Sequence, residues 1–497
     1  MSKRLKILII GEGTYPYIKG GVSSWIHELI CGLPDFDFHV IFIGSKKSDY
    51  GEKEYELPSN LLSLEEYYLF DEYDIPEPKP IKAKKSFIES LKKISVWLES
   101  RSKDSFPKEL ATPDFYTQKL TYEEFLYSFE SWEFVVHSYL KKSDTSSFID
   151  YFWTIRNMHA PLWRIAKSAL KTRDFDIIHS PSTGYAGFLA ALLHGYTKRP
   201  FLLTEHGIYT KERKIDMLDA KWISDAKTFL QKDISKVSHT KEAWIAFFES
   251  LGDMAYESAE KIVSLYEKAR STQILYGADP KKCMVVPNGV DIEKLKKFRK
   301  SEKENIIVLI GRVVPIKDIK TFIKALKVTV GKIPDTQGWI VGPEDEDPAY
   351  AKECRYLVQT MGLEDNIKFW GYKNIDEILP EAKIVTLTSI SEGMPLVVLE
   401  GFAAGIPAVT TDVGSCSQLI NGGVDDEDRE LGAAGRVVPI ANPVMTAYAY
   451  IDLLEDEVQW RKCSDVAIKR VESYYNVEKF LNNYKSLYLQ MGGTWQE

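Results

Sequence analysis

Ser391-Glu392-Gly393-Met394-Pro395-Leu396-Val397-Val398-Leu399-Glu400-Gly401-Phe402-Ala403-Ala404-Gly405 follows the apolar run Ile384-Val385-Thr386-Leu387 and reads as a strand, a loop and a helix. Pro395 fits the first helical position, where its missing N–H is harmless and the N–H groups of the next residues stay free to face an anion. The helix is apolar on nearly every face and is expected to be buried, yet it carries Glu400, a residue type rarely buried without a partner. At about 1.5 Å per residue Glu400 lies roughly 7–8 Å along the helix from Pro395, while Glu392 precedes the helix on the loop. One acid therefore meets each end of an elongated ligand whose phosphate sits at the helix start. A nucleotide sugar has that shape: Glu400 accepts from ribose hydroxyls, Gly393, Met394, Pro395 and Leu396 hold the diphosphate, and Glu392 orients the hexose. The plainer account is that both glutamates cap or pair locally.

Upstream and downstream, the same strand-then-helix alternation recurs. Leu5 to Ile10 is a short apolar run suited to a buried parallel strand, and a glycine-rich turn from Gly11 to Gly21 leads into helical spacing at Val22, Trp25, Ile26, Leu29 and Ile30. Phe38 to Ile43 completes a β-α-β unit. The next strand expected is Phe175 to His179, so residues 46–172 read as a helical insertion. Strands follow at Phe201 to Thr204, Ile262 to Leu265 and Met284 to Val286. After a charged linker from Glu293 to Glu304, Ile306 to Ile310 opens a second series that continues at Trp339, Ile367, Ile384, Ala408 and Val437. The fold class is α/β with two doubly wound, Rossmann-like domains, 1–292 and 293–474, which bind ligands at the carboxyl ends of their strands. Residues 475–497 read as a terminal helix.

Composition narrows the function. With 497 residues the chain exceeds one ordinary core and suits two domains. Lys plus Arg total 64 against 72 Asp plus Glu, a formal charge of −8, so no global field gathers nucleic acid. Cys31, Cys283, Cys354, Cys416 and Cys463 are scattered without a C-x-x-C pair, which points to free thiols in a reducing compartment. No apolar run approaches the roughly 18 residues of a membrane span, making the cytoplasm the default location. Lys84 to Leu98 forms a basic amphipathic pattern with Phe87, Leu91, Ile94 and Leu98 at helical spacing; packing on the first domain is expected ahead of contact with lipid or a partner.

Glu392 and Glu400, separated by seven residues in a strand-loop-helix, resemble the hallmark of the family 4 retaining glycosyltransferases. The resemblance extends to Val285-Val286-Pro287-Asn288-Gly289-Val290-Asp291 and Gly311-Arg312-Val313-Val314-Pro315-Ile316-Lys317-Asp318. It implies a GT-B architecture, two Rossmann-like domains facing across a deep cleft, in which the C-terminal domain binds the nucleotide sugar and the terminal helix crosses back to the acceptor-side N-terminal domain. It implies that Arg312 and Lys317 bind the donor diphosphate, where a fork of donors and a point charge suit charge on a leaving phosphate. Lys19-Gly20-Gly21-Val22 resembles the glycine turn that approaches donor phosphate in that family, and His206 matches a histidine contacting the transferred sugar. Arg312, Lys317, His206 and Glu392 are thus the expected catalytic residues. His179 also ends a strand and is the weaker candidate. Asp345-Glu346-Asp347 superficially offers a D-x-D metal motif, but the resemblance implies neither a metal nor another cofactor.

The motifs Gly20-Gly21-Val22-Ser23-Ser24-Trp25, Thr204-Glu205-His206-Gly207-Ile208-Tyr209 and Gly342-Pro343-Glu344-Asp345-Glu346-Asp347-Pro348, together with the long insertion, are most similar to the Pel-polysaccharide subgroup, the PelF type. That similarity implies a hexosyltransferase using UDP-glucose or a UDP-N-acetylhexosamine, a polysaccharide or oligosaccharide acceptor, and a membrane-bound synthase complex as partner at the inner membrane. Rival readings are a nucleotide-sugar epimerase or phosphorylase on the same fold, or a nucleotide-sugar-binding scaffold, since fold alone does not fix chemistry.

Overall fold

Ile7, Leu8, Ile9 and Ile10 are all buried, as the continuous apolar run requires of a strand covered on both faces. In the computed structural model, which describes residues 4–71, 77–100, 106–142, 147–171, 174–219, 238–300 and 303–493, they lie in β1 (Lys6–Glu12). Parallel neighbours are β2 (Asp37–Gly44) on one side and β4 (Ile177–Ser180) on the other. The sheet is completed by β3 (Leu61–Tyr68), β5 (Phe201–Glu205), β6 (Lys261–Ser264) and β7 (Cys283–Val285), in the order β3-β2-β1-β4-β5-β6-β7. A second parallel sheet contains β8 (Ile306–Ile310), β9 (Gln337–Val341), β10 (Ile367–Gly371), β11 (Ile384–Leu387), β12 (Ala408–Thr411) and β13 (Gly435–Val438), in the order β10-β9-β8-β11-β12-β13. Both sheets reverse direction of growth once, between β1 and β4 and between β8 and β11, and a doubly wound sheet presents its ligand crevice at such a reversal.

The chain divides into two compact units. Described residues up to Ser264, Arg270–Val285 and those from Lys485 onward form the first; Leu265–Ala269 and Val286–Tyr484 form the second. The last helix, Val477–Gly493, is therefore shared between them in sequence. Each face of the second sheet has its own core: Val308 and Val385 point into one, Ile307, Leu309 and Ile384 into the other, following the strand period of two.

The structure departs from the sequence reading at several places. Residues 46–172 are not wholly helical, because β3 pairs with β2 at the sheet edge; Leu-Leu-Ser-Leu-Glu-Glu-Tyr-Tyr is half exposed and lacks the apolar continuity of a central strand. The following strand starts at Ile177 rather than Phe175, since Asp176 turns its carboxylate back to accept from the Lys6 amide at 3.0 Å. The charged stretch from Glu293 is not a plain linker: Asp291 caps the helix Ile292–Leu295, accepting from the Lys294 amide at 2.9 Å, and Leu295 is buried in the second unit.

The basic helix Lys85–Ser100 packs inward. Phe87, Leu91, Ile94 and Leu98 all belong to the core of the first unit, whereas Val96 on the opposite side is 66% exposed. Phe87→Ala should therefore destabilise the protein by about 3–5 kcal/mol, while Val96→Ala should stay within about 0.5 kcal/mol. Urea unfolding of the two variants checks this; equal, small effects would show that the helix does not support the core.

Candidate functional site

β8 and β11 are neighbours, so the loops that leave their carboxyl ends are neighbours too. The β8 loop runs from Gly311 to Lys317 and the β11 loop from Thr388 to Pro395. Their backbones are tied directly: the Ile390 amide donates to the Ile316 carbonyl at 2.8 Å, and the Thr388 hydroxyl donates to the Lys317 and Asp318 carbonyls, each at 3.0 Å. Asp318 stands in the left-handed region at φ 44° and caps the helix Ile319–Lys332, its carboxylate accepting from the Thr321 hydroxyl at 2.6 Å. Lys317 is thus fixed from both sides, and its ammonium donates to Oε1 of Glu392. The same carboxylate oxygen accepts from the Ser389 hydroxyl at 2.5 Å. The side chains of Lys317 and Glu392 are only 18% and 11% exposed, so this pair is screened less than a surface ion pair.

Two glycines admit this arrangement. Gly414 has φ +54°, and a Cβ there would lie 2.3 Å from the Glu392 and Gly393 carbonyl oxygens. Ser415 follows, donating its amide to the Gly393 carbonyl at 2.9 Å. At Gly342, after β9, a Cβ would sit 2.0 Å from the Gly311 carbonyl oxygen. Any larger residue at either position would push the Glu392 loop or the β8 loop out of place.

The helix after the loop spans Leu396–Ala403, and Pro395 is its N-cap with ψ 112°, not its first helical residue as expected from sequence. The extended ψ turns the chain into the helix one step later, while the lack of an N–H at Pro395 is still tolerated. The Val398 amide donates to the Pro395 carbonyl at 3.2 Å, while the amides of Leu396 and Val397 have no carbonyl one turn back to bind, which leaves an electropositive end beside Gly393 and Met394. Glu400 lies farther along the same helix. Burial pushes its carboxyl up to about 7; the Lys294 ammonium acts against this and Asp376 with it.

Arg312 is placed differently from Lys317. Its guanidinium pairs with both carboxylate oxygens of Glu346, at 2.7 and 2.5 Å, and both side chains are about half exposed. The segment Asp345-Glu346-Asp347, only superficially a metal motif, is engaged by the protein: Glu346 holds Arg312, and Asp347 caps the helix Pro348–Thr360 by accepting from the Tyr350 amide at 3.0 Å.

In the first unit, β5 ends at Glu205 and His206 follows. Glu205 is fully enclosed and accepts from Tyr256 Oη at 2.6 Å, Gln273 Nε2 at 3.0 Å and the Thr183 hydroxyl at 3.3 Å; burial nonetheless raises its carboxyl to about 7. This network anchors the turn that presents His206. The imidazole stands edge-on to Trp25, ring centres 4.6 Å apart, and burial lowers its pKa to about 3, so it is neutral; Nε2 is buried without a hydrogen-bond partner. Trp25 belongs to the helix Gly21–Gly32, which connects His206 to the glycine turn. Gly20 and Gly21 are exposed, and a Cβ at either would meet nothing within 4 Å. The protein itself therefore does not demand glycine there. His179 is a packing residue: Nδ1 bonds to Tyr488 Oη at 2.7 Å and Nε2 to the Thr204 hydroxyl at 2.9 Å.

Sequence reasoning did not foresee the contacts that Ser389, Glu346 and Trp25 make. Ser389 had a legible signal, a serine three residues before a glutamate, the spacing that lets a hydroxyl and a carboxylate meet across a turn. The Arg312 and Glu346 pairing has none, because the two lie on loops after different strands.

Comparison with known proteins adds likenesses of family and fold. Residues 5–281, more than half of the chain, match the family described as Domain of unknown function (DUF3492), and residues 290–473 match Glycosyl transferases group 1. A UDP-Gal:alpha-D-GlcNAc-diphosphoundecaprenol alpha-1,3-galactosyltransferase from Escherichia coli is 26% identical over 65% of this chain and 77% of its own length. An N-acetyl-alpha-D-glucosaminyl L-malate synthase from Bacillus anthracis is 27% identical over 40% of this chain, which spans about half of that relative (49%). Among solved structures, Anabaena HepE in complex with UDP aligns with a TM-score of 0.61 at 15% identity over 97% of this chain and 99% of its own. The sucrose-phosphate synthase of Thermosynechococcus elongatus gives 0.61 at 16% identity over 99% and 100%. These likenesses give the fold as GT-B, and the model that matches more than half of the chain makes the assignment: the chain belongs to the DUF3492 family, and its C-terminal part matches the group 1 glycosyltransferase model over residues 290–473.

Proposed function

We propose that the chain is a retaining hexosyltransferase that uses a UDP-sugar, UDP-glucose or a UDP-N-acetylhexosamine, and elongates a polysaccharide of the Pel type without a metal or other cofactor. The observation that carries this reading is the Lys317 and Glu392 pair at the sheet reversal, next to the electropositive end of the helix Leu396–Ala403. As the bond between the anomeric carbon and the diphosphate breaks, negative charge grows on the leaving phosphate. Lys317 and the helix amides are already aimed and need no reorganisation to meet it. Glu392, held by Ser389, orients the hexose, and Glu400 accepts from the ribose. The acceptor hydroxyl attacks from the face the diphosphate leaves, giving retention, and its proton passes to a departing phosphate oxygen. On this reading the neutral imidazole of His206 meets the transferred sugar, Gly20 and Gly21 leave room for phosphate, and Arg312 exchanges Glu346 for the diphosphate. The names of the Escherichia coli relative and of HepE with UDP support a UDP donor. The cytoplasmic face of a membrane-bound synthase complex is the proposed setting; no described helix is long and apolar enough to cross a membrane.

Lys317→Ala should lower kcat by about 100-fold or more in a folded protein, by analogy with loss of one preorganised donor to a developing oxyanion. Product formation from a panel of UDP, ADP and GDP sugars with oligosaccharide acceptors checks the assignment. Near-normal turnover of the variant would remove Lys317 from its role, and conversion of donor without acceptor would replace transfer by epimerisation.

Glu400 gives a pH signature. A carboxyl that titrates at about 7 is mostly protonated at pH 6 and mostly ionised at pH 8, and only the carboxylate offers full acceptor strength to ribose hydroxyls. UDP-glucose, whose own diphosphate does not titrate in this window, should bind about tenfold more tightly at pH 8 than at pH 6. In Glu400→Gln the affinity should be weaker at pH 8 and flat with pH. Calorimetric titrations at the two pH values decide it.

A further inference from the structure

A cavity of about 900 Å³ opens in the first unit, at the carboxyl ends of β1, β2 and β3. Its floor is formed by residues after those strands, including Gly13, Lys46 and Phe70, and its walls by the helices Phe148–Ala169, Tyr209–Asp219 and His239–Ser258. The volume is at the upper end of the roughly 300–1,000 Å³ of small-molecule sites, more than a single sugar ring needs. None of the site residues expected from sequence lines it.

The lining combines flat aromatic faces with an excess of positive charge. Tyr50, Trp163, Trp244 and Phe248 contribute rings to the wall, which its own packing holds: Tyr122 and Phe125 lie 5.2 and 4.7 Å from Trp163, and Trp244 stacks on Phe248 at 5.9 Å. Four cations, Lys46, Arg164, Lys167 and Arg213, stand against two carboxylates, Glu12 and Asp71. Both carboxylates are engaged: Glu12 accepts from Tyr209 Oη at 2.7 Å and from the Ala186 amide at 3.2 Å, and Asp71 accepts from the Lys47 amide at 3.0 Å. Two of the cations have structural duties. Arg164 donates to the Tyr68 carbonyl and, at 2.5 Å, to the Asp71 carbonyl, pinning the end of β3, while Arg213 lies over the Tyr209 and Phe248 rings and 3.4 Å from Asp216. Lys46 and Lys167 are exposed and form no ion pair among the described residues. A rigid aromatic cavity with two uncommitted ammonium groups suits a saccharide that carries negative charge.

The cavity is also joined to the His206 turn. Glu12 lines the cavity and holds Tyr209, and the Tyr209 amide donates to Glu205 at 3.4 Å, one residue before His206. We infer that this cavity is the acceptor site and that the acceptor is an anionic saccharide, carrying a carboxylate or a phosphoryl group that Lys46 and Lys167 recognise. This rests on the transferase reading, but its binding chemistry is testable without turnover.

The full-length protein is titrated, without donor, with three probes followed by tryptophan fluorescence and calorimetry: a glucuronic acid-containing disaccharide, N-acetylglucosamine 1-phosphate and a neutral disaccharide. At least one anionic probe should bind tenfold or more tightly than the neutral one, and more weakly as salt rises; the probe that binds identifies the anionic group. Lys46→Glu combined with Lys167→Glu should abolish that preference, and the double Lys→Arg variant should retain it, both with unchanged melting temperature. Equal affinity for the neutral disaccharide, no binding of any probe, or an unaltered preference in the Glu variant overturns the inference. UDP-glucose is titrated into the same samples: failure of the wild type to bind it counts against the donor reading, whereas loss of saccharide binding alone counts against this one.

Discussion

An ammonium and a carboxylate are held together in the second unit where its parallel sheet changes direction. Lys317 and Glu392 come from different strands, and they meet only because β8 and β11 are adjacent. A partly buried pair of this kind gains little net stability, since the loss of hydration offsets most of the attraction. Its neighbours compensate for that loss by fixing the geometry: Ser389 satisfies the carboxylate, Thr388 binds the backbone at Lys317, and Gly414 lets the next loop close over Glu392. The two charges are therefore held in place by the protein's own hydrogen bonds.

The first unit solves a similar problem with neutral groups. Glu205 and His206 are adjacent, and burial drives both towards the uncharged form, the carboxyl upward and the imidazole downward. Glu205 is supplied with four donors from the surrounding helices and strand ends. Nε2 of His206 is left without one. A buried polar atom normally finds a partner, so the two neighbours stand in contrast, one fully satisfied and the other not.

Much of this was legible from sequence because the signals are local. Central strands such as Ile306–Ile310 and Ile384–Leu387 are short, continuous apolar runs, and their limits coincide with those observed. The edge strand Leu61–Tyr68 escaped for the opposite reason: an edge needs neither apolar continuity nor burial, and its glutamates and tyrosines resemble a loop or helix surface. Lys317, Glu392 and the helix bearing Glu400 stand out in the sequence because each lies in a compact strand-to-helix motif. The pairing of Arg312 with Glu346, and the cavity formed by Lys46 with Lys167, depend on segments distant in sequence whose meeting is set by tertiary packing alone.

The bond between His179 and Tyr488 ties the interior of the first unit to the last helix. On a ribosome the sheet of that unit emerges early, but the hydroxyl that completes its buried histidine follows only after residues 286–484 of the second unit. At about 5–20 residues per second that interval is on the order of 10–40 s. The N-terminal unit thus begins folding first and finishes last, so its native core is also a record that translation of the second unit has been completed.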